Sequence, residues 1–310
     1  MPKVSVIIPT YNRAELLPLA IKSALNQTFN DIEIIVSDDK STDDTREVVR
    51  SFADERIKYV LNKGKKGPSA TRNTAILASE GEYIAFLDDD DEWLPDKLQK
   101  QIRVLDESPS NVCGVYTNRL LLERLTGKIL SNDPGIEKLK GNLLYQLAIK
   151  NPIKTPTVIL KKKCLDEVGL FDETISYMED RDMWIRLSMN WNFDFIPEPL
   201  TKIYVHDSGH LCQNLELQTA GRAELLERYE HLFKKNRKSW GELYLCQGAQ
   251  YCQLKQMKKG RKNIIKAIKI YPLKKIAYYH LFSTFWGPSN YQRLRRSYKS
   301  ARKDLQDFDV

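Results

Sequence analysis

Four times in its first 107 residues the chain repeats one pattern: a short aliphatic and β-branched run, then a segment with apolar residues at helical spacing. VSVIIP is followed by RAELLPLAIKSALNQ, and IEIIVSDD by DDTREVVRSFA. RIKYVLN leads through a GKKGPS turn to ATRNTAILAS, and YIAFLDD to PDKLQKQIRVLDE. Strands separated by helices need crossovers rather than hairpins. The alternation therefore predicts an α/β fold, Rossmann-like, with a mostly parallel central sheet and flanking helices. Ligands of such sheets bind beyond the carboxyl ends of the strands. Three of the four strands end there in polar residues: Thr10 to Arg13, Asp38 with Asp39, and Asp88 to Asp91.

A length of 310 residues allows one large domain or about two smaller ones. No apolar run approaches the roughly 18 residues of a membrane span. The opening MPKVSVIIPTYN has one Lys, a short apolar run stopped at Pro9 and no cleavage pattern, so it reads as a strand of a cytoplasmic protein. Five scattered cysteines (113, 164, 212, 246, 252) form no CxxC pair, so neither a zinc site nor a disulfide framework is expected. Charge divides the chain. Residues 1–230 carry 30 Lys+Arg against 37 Asp+Glu, a balance of −7, while residues 231–310 carry 19 against 4, a balance of +15.

Beyond residue 110 the pattern loosens. VCGVYTNRLLLE reads as a strand, 126–142 as a loop, TPTVILKKK as a strand, EDRDMWIRLSMN as a helix, and FDFIPEPLTKIYVH as one or two strands. From about 214 the chain is helical. Gly248, Gly260, Ala267, Tyr251 and Pro272 are spaced as in one tetratricopeptide helix pair, placed at about 242–272. A single such unit needs a neighbour to cover its apolar face. The division expected is an α/β domain over 1–225 and a basic helical extension over 226–310.

The stretch IAFLDDDDEWLPDKL sets four carboxylates after a buried strand. Their repulsion must be offset by a cation, by hydrogen-bond donors or by water. Asp88 and Asp90, one residue apart on a turn, are spaced to face a divalent cation. The bland alternative is a solvated turn that starts the next helix.

Five stretches in order, VSVIIPTYNR (4–13), VSDDKSTDDT (36–45), ATRN (70–73), FLDDDDEWLP (86–95) and MEDRDMWIR (178–186), resemble the family-2 inverting glycosyltransferases of the GT-A fold. The resemblance covers about the first 210 residues. It implies a nucleotide-diphosphate sugar donor, UDP-linked if Asp39 accepts the N3 hydrogen of uracil. Donor-binding positions would be Thr10, Tyr11, Asn12, Arg13, Asp39, Arg72, Asp88 and Asp89. Tyr11 is also readable as a core aromatic, Asp39 as a helix cap and Arg72 as a surface residue. By the same resemblance Asp88 lies near the ribose, Asp90 binds Mg2+ or Mn2+, and His206 is a further metal ligand. Asp180 becomes the base that inversion requires, with Glu179 as its alternative, and Trp184 an acceptor-binding platform. Lys40 departs from the Gly that often follows the paired Asp, and Thr71 from the Ala before the Arg.

The acceptor implied is a glycan or a lipid-linked glycan, in lipid-linked or surface polysaccharide synthesis. The tail YPLKKIAYYHLFSTFWGPSNYQRLRRSYKSARK interleaves rings with cations, which suits peripheral contact with an anionic membrane at its cytosolic face; a packed helical subdomain with a solvated basic face fits equally. Nucleic acid is not expected, because no nucleic-acid fold accompanies the charge. The competing function is a non-catalytic nucleotide-sugar-binding or docking protein that uses the helical tail.

Overall fold

The computed structural model describes residues 1–132, 139–205 and 214–301. The chain forms two compact units. The first comprises Met1–Leu143, Pro152–Ile175 and Glu179–Ser208, and the second Leu144–Asn151, Ser176–Met178 and Gly209–Val310.

In the first unit the four strand-helix repeats are β1 (Val4–Thr10), α1 (Leu17–Leu25), β2 (Ile32–Asp38), α2 (Thr45–Ser51), β3 (Ile57–Leu61), α3 (Pro68–Ala78), β4 (Tyr83–Phe86), the two-residue β5 (Glu92–Trp93) and α4 (Lys97–Glu107). Then come β6 (Val112–Glu123) and β7 (Ile129–Asn132). The sheet order is β3-β2-β1-β4 through this half, and every pairing in it is parallel. β1 is buried on both faces, as a central parallel strand must be. Val4, Val6 and Ile8 pack with Ile34, Val36, Ala85 and residues of α1 and α4, and Ile7 is sealed on the other face.

After α5 (Leu144–Ile149), which belongs to the second unit, the first unit continues with β8 (Val158–Lys161), α6 (Lys162–Val168), α7 (Glu179–Ser188) and β9 (Asn192–Val205). β8 pairs antiparallel with β4 and β6, whereas β6 and β9 run parallel, so the sheet is mixed beyond β4. Part of the expected loop at 126–142 is strand. β7 returns on β6 as a hairpin, and four residues, ILSN, whose pairing lies on a neighbouring strand carry little local signal of their own. FDFIPEPLTKIYV is one strand with register breaks near Thr117 and Asn118 of its partner, where two prolines cannot donate to the ladder.

The second unit contains α5 and the helices α8 (Leu215–Phe233), α9 (Arg237–Gln253), α10 (Met257–Ile270), α11 (Lys275–Ser283) and α12 (Gly287–Ala301), with a 3-10 turn at Thr284–Trp286. The expected boundary at 225/226 lies within α8, a continuous 19-residue helix. α9 and α10 form the helix pair at the tetratricopeptide-like spacing. Their backbones approach closely: a Cβ on Gly248 would lie 2.9 Å from the Gly260 carbonyl oxygen, and one on Gly260 2.2 Å from Cys252 Sγ. α5, α8 and α12 also pack on α9, so the pair has neighbours on its apolar face.

Candidate active site

At the end of β1 the chain turns sharply. Asn12 takes a left-handed φ of 50°, which an Asn tolerates better than most residues. The turn is tied to the loop after β2. The Asn12 amide donates to Ser41 Oγ at 2.8 Å, its Oδ1 accepts from the Thr42 amide at 2.7 Å, and the Ala14 amide donates to Asp43 at 3.0 Å. Tyr11 is 45% exposed, which removes the reading of a core aromatic, and Lys66 Nζ lies 4.7 Å from its ring centre.

Asp39 is buried but not as a cap of α2, since Asp43 takes the Thr45 amide there. Its carboxylate accepts from Asn62 Nδ2 at 2.7 Å and from the Gly67 amide at 2.8 Å. A carboxylate offers about four lone-pair positions, so two donors leave capacity for a ligand N–H. Asn62, fully enclosed, also binds the Lys65 carbonyl and the Gly64 amide and so shapes the loop into α3. Sequence reading missed Asn62. Its only signal is its place at the carboxyl end of β3, the end where the other site residues lie.

The four aspartates share three partners. Asp88 Oδ1 accepts from Arg72 Nη2 at 3.0 Å, while Arg13 Nη1 reaches Asp89 Oδ1 at 2.9 Å and Asp90 Oδ2 at 2.6 Å. Asp91, turned inward, accepts from the Tyr204 amide at 3.1 Å, and its own amide closes a turn on the Asp88 carbonyl. Asp89 and Asp91 are buried, so a merely solvated turn does not describe this stretch. Burial pushes the Asp89 carboxyl up to about 6 against the pull of Arg13 and the Thr10 hydroxyl, with Asp90 and Asp88 adding repulsion. Burial, joined by Asp88 and Asp90, drives Asp91 well above the usual carboxylate range. Asp88 also rises by burial, opposed by Arg72.

Arg72 is buried rather than on the surface, and it joins two motifs. Besides Asp88 it donates to Glu179 Oε1 at 3.0 Å, and its guanidinium sits 5.7 Å from the Phe171 ring centre. Burial opposes its charge, but Asp88 and Glu179 carry its pKa upward, with Asp180 contributing. Glu179 is raised by burial, lowered by Arg72 and raised again by Asp180. Asp180 thus lies within electrostatic reach of this cluster. Its Oδ1 accepts from the Arg181 amide at 2.6 Å in the first turn of α7, where the helix dipole favours an anion.

Within MEDRDMWIR only the first two acids join the cluster. Asp182 is sealed and pairs with Arg186 at 2.9 Å, and Arg186 also caps the carbonyls of Val168, Gly169 and Leu170. Trp184, expected as an acceptor platform, is a core residue. It has no exposed surface, its Nε1 donates to the Ile153 carbonyl, and Phe171 and Phe193 meet its ring edge to face, which leaves no face for a sugar. Helical spacing is the cause, since 183, 184 and 187 share the buried side of α7. His206 lies outside the described residues.

The donor set suits a hard divalent cation: carboxylates crowded on one turn, three of them raised by burial and repulsion. Asp88 and Asp90 retain 30% and 14% of their side-chain exposure and are reachable from solvent. Among the described residues no three His, Cys, Asp or Glu groups converge on a complete metal cage. Mg2+ and Mn2+ sites of this kind commonly use one or two carboxylates and complete their shell with substrate phosphates.

Residues 5–160, half of the chain, match the family described as Glycosyl transferase family 2. The chain belongs to glycosyl transferase family 2. It is 45% identical over 199 residues to the Campylobacter jejuni GalNAc(5)-diNAcBac-PP-undecaprenol beta-1,3-glucosyltransferase, covering 62% of this chain and 62% of that relative's length. It is 30% identical over 243 residues to the Escherichia coli UDP-Glc:alpha-D-GlcNAc-diphosphoundecaprenol beta-1,3-glucosyltransferase WfgD, covering 77% of this chain and 85% of WfgD. The crystal structure of S. aureus TarS 1-349 in complex with UDP-GlcNAc has a TM-score of 0.66, at 20% identity and coverage of 96% of this chain and 92% of that one, which establishes the GT-A fold. The two departures from the family-2 pattern have local explanations. Lys40 adopts a left-handed φ of 65°, a conformation that favours Gly, and anchors its Nζ on the Gly64 carbonyl at 2.8 Å. Thr71 turns its hydroxyl back to the Gly67 carbonyl at 2.8 Å and remains within α3.

Proposed function

We propose that the protein moves a sugar, with inversion and with the help of Mg2+ or Mn2+, from a UDP-sugar to a hydroxyl of a lipid-linked glycan. The observation that carries this reading is the single ion-pair network in which Arg72 ties Asp88, after β4, to Glu179, at the start of α7, with Asp180 beside it. Donor and base functions thereby meet beyond the carboxyl end of a parallel strand. Glucose is the first sugar to test, because the two named relatives are glucosyltransferases.

Asp39 would accept the uracil N3–H, held in place by Asn62 and Gly67, while cytosine offers no N3 hydrogen. Tyr11 supplies an exposed ring beside it. Asp88, reachable and braced by Arg72, is placed for the ribose hydroxyls, with Thr10, Asn12, Arg13 and Asp89 shaping the same edge. A divalent cation held by Asp90, and by His206 if that residue reaches it, would offset charge on the departing UDP. Asp180 takes the proton of the acceptor hydroxyl as that oxygen bonds to the anomeric carbon. The bond from that carbon to the diphosphate oxygen breaks on the opposite face, and its electron pair leaves with UDP. In this reading Glu179, held by Arg72, is a positioning residue for Asp180.

Calorimetric titration with UDP, GDP and CDP, each with and without Mn2+, tests the donor site. Metal-dependent UDP binding that Asp90→Ala abolishes is the expected result. Binding of none of the three, or binding indifferent to metal and to Asp90, overturns the mechanism. Transfer of labelled glucose from UDP-glucose to a diphosphoundecaprenol-linked acceptor then tests substrate choice.

A further inference from the structure

The helical unit carries an unusual surface. Between residues 243 and 303 the sequence has 15 Lys+Arg and no Asp or Glu. Within that stretch Leu273, Tyr278, Phe282, Phe285 and Trp286 are exposed by 79, 47, 62, 67 and 48%. A soluble surface rarely leaves so many large apolar groups together without a use.

Their arrangement is local and specific. Lys275, Tyr278 and Phe282 follow one another on one face of α11, and the Phe282 and Trp286 rings touch, with centres 4.1 Å apart. Phe285 lies against α10, where the Arg261 guanidinium sits 5.4 Å from its ring centre. Beside Arg261, the outer face of α10 presents Lys258, Lys262, Ile265 and Lys269, all exposed. Lys262, Lys269 and Lys275 make no ion pair among the described residues, unlike Lys266 and Lys274, which are held by Glu230 and Glu242. Rings and aliphatic tips are thus bordered by cations that no acid neutralises among the described residues.

We infer that this face of α10, α11 and the turn at 284–286 docks on an anionic lipid bilayer, with Phe282, Phe285 and Trp286 in the headgroup layer and the lysines on lipid phosphates. It deepens the reading of a lipid-carried acceptor, on which its biological meaning rests. No helix among the described residues is long and apolar enough to cross a membrane, so the contact is interfacial. Charge selects the occupant. A second copy would set one cationic face against another, and a nucleic-acid backbone would pair with the lysines but leave Leu273, Ile265 and Phe282 without an apolar partner. A bilayer satisfies both sets, because phosphate and acyl boundary lie within a few ångströms of each other.

Flotation of the full protein with vesicles tests this. Phosphatidylcholine mixed with phosphatidylglycerol should carry the protein upward, phosphatidylcholine alone should not, and added salt should weaken the association. Combined Phe282→Ser, Phe285→Ser and Trp286→Ser should lower the partition coefficient at least about tenfold, as loss of buried ring surface requires. Combined Lys262→Glu, Lys269→Glu and Lys275→Glu should lower it comparably. Both variants should keep the wild-type thermal transition and UDP binding. The proposal is overturned by wild-type protein that ignores anionic vesicles or by ring substitutions without effect. A single-stranded oligonucleotide bound in place of vesicles, or dimerisation lost in the ring variant, also overturns it. Absent UDP binding with flotation intact would instead sink the proposed UDP-sugar mechanism and leave this surface standing.

Discussion

Each unit gathers charge of one sign, and each handles it differently. Beyond β4, four carboxylates crowd one turn, two of them buried, and Arg72 answers Asp88, Arg13 both Asp89 and Asp90, and the Tyr204 amide Asp91. On α10 and α11, lysines with no ion-pair partner among the described residues are spread over an exposed surface. The carboxylates pay in desolvation, visible as upward pKa shifts, so their site gains from one compact cation. The lysines incur no such cost, and a broad anionic surface suits them. Burial of like charges thus points to a small, highly charged ligand, and their exposure to an extended one.

The largest effect expected lies at Asp180, the proposed base. Asp180→Asn should lower kcat by about 10² to 10⁴, the range usual for a general base, while calorimetry still records UDP binding. Near-normal turnover would return the role to Glu179 and break the assignment of chemistry to this end of α7. Next comes the network itself. Arg72→Met leaves the partly buried Asp88 and Glu179 without their cation, which should cost about 2 to 3 kcal/mol in chemical denaturation of the metal-free protein. A loss under about 1 kcal/mol would mean that solvent already screens the pair.

Two groups, one in each unit, should contribute pH dependence of opposite sign. The folded Asp89 carboxyl titrates at about 6 against an ordinary 3.8, so the native state holds the extra proton between these values. Stability of the metal-free protein should therefore fall as pH rises from about 4 to 6, by roughly 3 kcal/mol for this group, and Asp89→Asn should flatten the slope. In the helical unit His280, whose Nδ1 lies 2.7 Å from the Tyr291 hydroxyl, is pushed down to about 4 by burial and by Arg295. There the unfolded chain binds the proton. Stability from this group is full above about 6.5 and is lost as pH falls toward 4, by a similar amount that His280→Gln should abolish. Denaturation followed by probes in each unit at several pH values separates the two slopes. Slope changes of one sign in Asp89→Asn and His280→Gln would defeat the comparison.

The parallel half of the fold was legible because its strands are buried on both faces and read as continuous apolar runs, as in VSVIIP and IEIIV. β7 was not, because ILSN owes its ladder to β6. In the candidate site, the sequence marked Asp39, Arg72, Asp88 to Asp90 and Glu179 through motifs. What it could not mark was pairing: that Arg72 spans Asp88 and Glu179, 107 positions apart in its longer link, is a property of the folded chain alone. Trp184 misled for a related reason. A charged run before an aromatic looks like a binding edge until helical spacing turns the ring into the core. Asn62 was invisible because a lone Asn after a strand usually ends it, and only the folded loop shows its amide on Asp39.

The smallest effect expected concerns Lys40, where local backbone cost and a long-range contact oppose each other. A left-handed φ costs an L-residue roughly 1 kcal/mol, a cost that Gly escapes, although Gly also loses more freedom on folding. Lys40 recovers part of it through Gly64, across the loop that sets Asn62 against Asp39. Lys40→Gly should therefore change unfolding free energy by less than about 1 kcal/mol. Its clearer signature should be weaker UDP binding with kcat unchanged, because the loop loses a tether while the proposed base at α7 is untouched. Unchanged affinity would show that Asn62 and Gly67 hold Asp39 without that tether, and the acidic end of the molecule would then depend still more on its buried pairs.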